Sequence, residues 1–221
     1  SHELRTPSNA IIGYTEMLQE NSIPEQQVWL ARIAYNSRQI VFFVNDLLDQ
    51  AALESGQLKL SNVEFAPAEL VENMRSLLGS LAEQKGLEIT YSVDPFLPDK
   101  ITGDLKRLQQ ILVNLVNNAV KFTDQGSVAV RIYGCEDNQW ALEVCDTGLG
   151  IPPEAQAYVF EPFRQVDGSV TRKNRGVGLG LSIVQQLATL MGGQVKLESL
   201  VGRGSTFTVV VPMAPKMEIN L

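Results

Sequence analysis

The chain has 221 residues, room for one large or two modest domains, and 44% of them are apolar, which supports a sizeable core. Its formal charge of −7 excludes a general nucleic-acid binder, because a phosphate backbone demands a basic footprint. Two cysteines without CxxC spacing and a single histidine exclude a zinc site, and no apolar run approaches the ~20 residues of a membrane span. One small anionic ligand held by a local cationic patch stays compatible with this composition. Cys135 and Cys145 read as small buried apolar residues, with a functional thiol as the alternative. The first residue is not Met, no signal peptide is present and the chain opens inside a motif, so a piece of a longer cytoplasmic protein is expected. Any input domain or membrane anchor would lie upstream.

Positions 1 to about 20 read as a helix: Leu4, Ile11 and Leu18 repeat every seventh residue, flanked by Ile12, Tyr14 and Met17. Pro7 removes one helical hydrogen bond and predicts a bend after His2. Asn21-Ser22-Ile23-Pro24 is a turn, and a second helix runs from about 25 to 55. Along it Leu30, Ile33, Ser37, Ile40, Val44, Leu47 and Ala51 step by three and four, the spacing of a coiled-coil seam. Phe42, Phe43 and Leu48 widen that face beyond what one partner helix covers, which predicts a homodimer through a four-helix bundle. A monomeric hairpin lying on the second domain is the alternative.

Gly56 ends this helix and the pattern changes. Leu58 to Phe65 alternates like a strand, Pro67 to about Glu83 is a helix, and Leu87 to Val93 a strand. Asp104 caps a long helix through Phe122. Ser127–Tyr133 and Trp140–Cys145 are strands joined around Glu136-Asp137-Asn138. Val166 to Arg175 is polar and reads as a mobile loop. A helix then runs to Met191, ended by Gly192-Gly193, and Gln194–Ser199 with Ser205–Val211 closes the chain as a hairpin around Gly202-Arg203-Gly204. The fold class is α+β: a helical hairpin over 1–56, then an α/β sandwich over 57–221.

Four stretches of the second domain carry candidate chemistry. In Asn114-Leu-Val-Asn117-Asn118-Ala-Val-Lys121-Phe122, Asn114 and Asn118 share a helix face and Lys121 lies near it. Neutral oxygen donors suit Mg²⁺ and a lysine suits phosphate, whereas a plain solvent-facing stripe is the alternative. In Asp146-Thr147-Gly148-Leu149-Gly150-Ile151-Pro152 an aspartate leaves a strand and meets two glycines that permit close backbone approach. Its carboxylate could accept a hydrogen bond from an exocyclic amine, or the stretch could be an ordinary turn. Arg175-Gly176-Val177-Gly178-Leu179-Gly180-Leu181-Ser182 opens a helix and would offer bare N–H groups to an anion, without the signature of a P-loop or a dinucleotide fingerprint. Arg164, Arg172, Lys173 and Arg175 gather upstream as a cationic patch. In Gly202-Arg203-Gly204-Ser205-Thr206-Phe207 a hairpin turn accounts for the glycines, and only its company draws attention to Thr206.

In this order and spacing, these stretches resemble the sensor histidine kinases of two-component systems over nearly the whole chain. Ser1-His2-Glu3-Leu4-Arg5-Thr6-Pro7 resembles the phosphoacceptor block, Asn114–Phe122 the N box, Asp146–Pro152 and Gly176–Leu181 the two glycine boxes, and Phe160-Glu161-Pro162-Phe163 the F box. The resemblance implies a dimerisation and phosphotransfer bundle followed by a Bergerat-type ATP-binding domain with a lid. It makes His2 the phosphoacceptor, with Glu3 as base or orienting partner of its ring. An imidazole with the ordinary pKa of ~6.5 is largely neutral and nucleophilic at pH 7. Asn118 would hold Mg²⁺ with Asn114 beside it, Lys121 would face phosphate, Phe122 would border the adenine, and Asp146 would bind its amine. By the same resemblance Gly148, Gly150 and Ile151 would belong to the nucleotide site. Arg175, Gly176, Gly178, Leu179, Gly180 and Leu181 would meet the phosphates, and Thr206 would line the base pocket. The phosphoryl group would pass to an aspartate of a response-regulator receiver domain. Glu3 and Thr6 resemble the pair that assists dephosphorylation of that regulator.

Related ATPases such as type II topoisomerases and mismatch-repair proteins carry a water-activating glutamate four residues before the magnesium asparagine. Here that position is Asn114, and a site without that base should favour transfer to a placed histidine over hydrolysis. The sequence departs from the family at Ser8, where leucine is usual, and from these residues a hybrid kinase with its own receiver domain is not expected. A regulatory scaffold without phosphotransfer and an ATPase chaperone or DNA-repair subunit are the alternatives. The intact asparagine and glycine boxes speak against the first, the histidine bundle and Asn114 against the second.

Overall fold

A computed structural model describes residues 2–19, 24–165 and 178–213. These residues fall into two compact units that divide between Leu58 and Lys59. The first is a helical hairpin of α1 (His2–Gln19) and α2 (Pro24–Glu54). The turn expected at Asn21–Ile23 lies outside the described residues. α1 runs as one helix across Pro7, so the proline does not end it. Gly56 closes α2 in the left-handed region (φ 64°), with Gly56 N–H donating to Leu53 and Gln57 N–H to Ala52, a glycine C-cap that a side chain would strain.

The apolar seam of α2 divides into two stripes. Ser37 and Val44, seven apart, are buried, whereas Ile33, Ile40 and Leu47 lie 45%, 52% and 37% exposed. Ile11, Tyr14 and Leu18 of α1 and Trp29 of α2 are exposed as well. One stripe therefore closes the hairpin and the other stays uncovered within a single chain. Thr15 is buried without cost, because its hydroxyl donates to the carbonyls of Ile11 and Ile12.

The second unit is built on a five-stranded sheet in the order β2-β4-β5-β7-β6, formed by β2 (Glu88–Val93), β4 (Ser127–Cys135), β5 (Gln139–Asp146), β6 (Gln194–Leu200) and β7 (Gly204–Pro212). A separate two-stranded ribbon pairs β1 (Val63–Phe65) with β3 (Ile101–Gly103). β2 and β4 are parallel, so the chain must cross over between them, through β3 and α4 (Leu105–Phe122). The other pairs are antiparallel. The β4–β5 hairpin turns at Asp137 and Asn138, both at positive φ, residue types that tolerate the left-handed region. α3 (Pro67–Lys85), α4 and α6 (Gly180–Leu190) cover one face of the sheet, and α5 (Pro153–Gln156) is a single turn. The core between the layers holds Ile111, Leu112 and Leu115 of α4, Ile183 and Leu187 of α6, and Val130, Ile132, Leu142, Val144 and Val209 of the sheet.

The strand expected over Leu58–Phe65 shrinks to Val63–Phe65. The earlier backbone groups bond elsewhere: Leu58 N–H donates to the α2 carbonyl of Ala52, and Ser61 N–H to Asp104 Oδ2 at 2.8 Å. Asp104 caps α4 as expected, accepting from Arg107 N–H with its other oxygen at 3.1 Å. It thereby ties the incoming chain to the start of α4.

Asp46 and Gln50 are buried on α2. Burial first, and repulsion from Asp49 second, push the Asp46 carboxyl up to about 7 from 3.8. A folded value above the unfolded one means that ionising Asp46 costs stability: the cost is absent below about 3.8, builds as pH rises to about 7, and is constant above. The gain in melting temperature of Asp46→Asn over the parent chain is expected to grow through that window and then level off in a pH series of thermal melts. A gain independent of pH would show that Asp46 does not titrate this way.

Candidate nucleotide site

The site starts from α4. Its apolar residues face the sheet, which leaves Asn114 4% exposed and Asn118, one turn on, half-buried at the margin. Asn114 Nδ2 makes no hydrogen bond. The last turn carries Lys121, half-buried, with its ammonium 4.9 Å from the centroid of the Phe122 ring. Burial pulls the Lys121 amine below the usual lysine range. α4 ends against α3. The Lys85 ammonium donates to the carbonyls of Val120, Lys121 and Thr123 at 2.8, 3.1 and 3.4 Å, where the helix dipole is negative, and lies 3.9 Å from Asp124.

Asp146 is the last residue of β5 and is 7% exposed. Its Oδ1 accepts from Gly148 N–H at 2.9 Å and from Ser205 N–H at 3.3 Å. Burial raises its pKa, and the two backbone hydrogen bonds oppose that rise. Across the strands Asp146 stands opposite Ser205, and Ser205 opposite Ser199, so these three side chains share the helix-covered face. Ser199 Oγ accepts from Ile151 N–H at 2.7 Å and lies 3.1 Å from Gly204 O and 2.9 Å from Ser205 Oγ. Gln156 Nε2 clamps the same place, donating to the carbonyls of Ile151 and Ser199. A shallow recess of about 330 Å³ lies at this end of the sheet, between Asp146, Ser199, Arg203 and Thr206.

The glycines of the site meet protein backbone. A Cβ on Gly148 would stand 2.4 Å from Phe122 O, and one on Gly150, at φ 68°, 2.1 Å from Leu200 O. The loop after Asp146 is thus pressed between the end of α4 and the β6–β7 turn, and Leu149 N–H donates to Phe122 O. Gly178, at φ 80°, backs onto Phe163 and Arg164, and its carbonyl accepts from Phe163 N–H at 2.9 Å. Gly180 has Asn114 Oδ1 3.2 Å from where its Cβ would be, so it lets α6 start against the asparagine face of α4. The F-box stretch is held from below, where the Phe160 ring meets Phe207 edge-on at 6.3 Å.

One expectation is corrected. Thr206 reaches the rim of this recess but does not share a face with Asp146: it pairs with Cys145 on one side and Glu198 on the other, and strand alternation turns it to the opposite face of the sheet. Ser205 occupies the place expected for it. Leu179 is 1% exposed, so its side chain belongs to the core and only its backbone is left for the expected phosphate contact. The cationic patch is represented among the described residues by Arg164 alone, which pairs with Glu161 at 3.0 Å and lies over the Tyr158 ring. Arg172, Lys173, Arg175, Gly176 and the loop expected at 166–175 lie outside the described residues. His2, Glu3 and Thr6 lie on the first turns of α1.

Residues 103–215 match the family of histidine kinase-, DNA gyrase B- and HSP90-like ATPases, and residues 1–56 match the His Kinase A (phospho-acceptor) domain. The chain belongs to the two-component sensor histidine kinases. It is 40% identical over 212 residues to the signal transduction histidine-protein kinase BarA of Escherichia coli (strain K12), covering 94% of this chain and 23% of that protein. It is 37% identical over 214 residues to the sensor histidine kinase RcsC of Salmonella typhimurium, covering 96% of this chain and 22% of that protein. The chain therefore spans less than a quarter of the length of these relatives. Among solved structures, full-length ShkA in complex with AMPPNP superposes with a TM-score of 0.78 at 34% identity, over 97% of this chain and 44% of that one. No described helix is long and apolar enough to cross a membrane.

Reading by motif missed Ser205, Ser199 and Lys85. Strand alternation counted back from the Asp146 pairing would have found Ser205. Lys85 carries no local signal, because its acceptors lie 35 or more residues away. Lys85→Met is expected to lower the stability of the kinase by about 1 kcal/mol in chemical denaturation, with partial recovery in Lys85→Arg. Equal stability of all three proteins would show that the contacts at the end of α4 contribute nothing.

Proposed function

We propose that this kinase phosphorylates itself on His2 with ATP and passes the phosphoryl group to an aspartate of a response-regulator receiver domain. The observation that carries the nucleotide reading is the Asp146 carboxylate, buried at the end of β5 and held by two backbone N–H groups, on the same side of the sheet as the asparagine face of α4. A carboxylate so fixed has one oxygen committed to the backbone and the other left to accept from an exocyclic amine, which adenine offers.

From that anchor the polyphosphate would run along α4. Asn118, with Asn114 beside it, would hold Mg²⁺ through neutral amide oxygen. The donor set fits an ion that takes one or two protein oxygens and arrives with substrate phosphates, and among the described residues no cluster of three acidic, His or Cys side chains competes for it. When bound, that ion supplies charge neutralisation at the phosphates. Lys121, whose amine burial already disfavours in the charged form, would gain most from an adjacent phosphate. Phe122 would border the base. In-line transfer needs mainly positioning: a neutral ring nitrogen of His2 forms a bond to the γ-phosphorus as the bond to the bridging oxygen breaks and ADP leaves. Glu3 would orient the ring and take its proton. Thr6, one turn on, would serve with Glu3 in dephosphorylating the regulator. Asn114 stands where a hydrolytic relative carries its water-activating glutamate, so transfer is favoured over hydrolysis.

The hairpin supports a homodimer. Its uncovered stripe of Ile11, Tyr14, Leu18, Ile33, Ile40 and Leu47 lies on the heptad spacing that a second copy would cover as a four-helix bundle.

Radiolabelled Mg-ATP is expected to label the protein at an acid-labile, base-stable site, and His2→Gln to abolish the label. Undiminished labelling of the variant would remove His2 from the mechanism. Asn118→Asp sets a negative charge beside the phosphates and is expected to weaken Mg-ATP binding by at least about tenfold with the fold retained. Unchanged affinity by calorimetry would count against its metal role.

A further inference from the structure

Resting on the reading of Asp146 as the base anchor, we infer that Ser199 is a specificity-determining residue: it fixes the direction of the Ser205 hydroxyl so that Ser205, beside Asp146, presents only lone pairs to the base. Ser199, Ser205 and Asp146 are successive partners across three strands, with their side chains on one face. A serine hydroxyl has one proton and two lone pairs. Three contacts meet at Ser199 Oγ: Ile151 N–H, Gly204 O and Ser205 Oγ. Ile151 N–H can only donate, so it takes one lone pair. Gly204 O can only accept, so it takes the proton. The 2.9 Å contact to Ser205 Oγ is then a hydrogen bond only if Ser205 donates it.

The consequence lies at Ser205. Its single proton points away from Asp146, and its lone pairs are left for the pocket. Beside it, Asp146 carries acceptors only when ionised. Side by side, Asp146 and Ser205 therefore present two acceptors and no donor. An amino group matches such a pair, and the carbonyl oxygen that guanine carries in the same place does not, because two acceptors facing each other leave both unpaired. Ser199 does not touch the base in this arrangement. It acts through Ser205, and its removal releases the Ser205 proton to turn towards the pocket and donate to a carbonyl.

The test uses the whole chain and measures Kd for ATP and for GTP by calorimetry, with thermal melts as a check on folding. Ser199→Ala is expected to cut the ATP-over-GTP preference by about tenfold or more, mainly through tighter GTP binding. Ser199→Thr, which keeps the hydroxyl, is expected to hold the parent preference. The double variant Ser199→Ala/Ser205→Ala has no hydroxyl to release and is expected to reject GTP again. An unchanged preference in Ser199→Ala, or a double variant as tolerant of GTP as the single one, would overturn the inference. Asp146→Asn tests the underlying reading separately. If it binds ATP as tightly as the parent chain, Asp146 is not the base anchor and the role of Ser199 falls with it. If it loses ATP while Ser199→Ala keeps the preference, only the inference about Ser199 fails.

Discussion

A carboxylate buried at the end of a strand is costly unless hydrogen-bond donors are fixed around it, and the nucleotide side of this protein is arranged around that requirement at Asp146. Its two donors come from different places: Gly148 in the loop that follows, and Ser205 on the neighbouring strand, 59 residues later. Both N–H groups reach Oδ1 only because glycine occupies the tight positions. Gly204 stands at φ 104° with the Asp146 carbonyl where its Cβ would be, and Gly148 sits against the last carbonyl of α4. The glycine boxes therefore build the anchor by letting backbone approach backbone, before any ligand is considered.

The same close packing couples the parts of the site. α4 supplies the asparagine and lysine face, and its end receives three hydrogen bonds from Lys85 and one from Leu149. The loop from Asp146 is stitched to the β6–β7 hairpin by Ser199 and Gln156. The F-box stretch hangs on Gly178 and Phe207. Each of these stretches is held by another one, so a disturbance at the hairpin reaches the Asp146 carboxylate through one strand pairing. Ionic and polar groups on the other face behave differently. Glu143, Arg131, Tyr133 and Thr208 satisfy one another, and burial with the Glu143 hydrogen bond pushes the Tyr133 hydroxyl up to about 12, which keeps it protonated.

The helical hairpin is governed by a simpler balance. Its heptad pattern carries more apolar surface than two helices can hide, which is why half the seam closes the hairpin and half stays exposed in one chain. A buried Asp46 sits in the same helix at a cost that rises with pH. A seam that is incomplete in the monomer is consistent with stability shared between copies.

Much of the plan was legible in the residues. The heptads of α2, the Asp104 cap, the glycine stops at Gly56 and Gly192 and the turn at Asp137-Asn138 are local signals, read over a few residues and set by backbone sterics and helix periodicity. The order of the motifs was enough to place the chain in its family. Tertiary structure decided what depends on pairing. The register of β5 against β7 put Ser205, not Thr206, beside Asp146, because a one-residue choice in a strand selects the opposite face. The parallel pairing of β2 with β4, the short β1–β3 ribbon, the burial of Leu179 and the reach of Lys85 to the end of α4 all join residues far apart in the chain. Local composition does not encode such contacts; they exist only once the sheet and its covering helices have closed on each other.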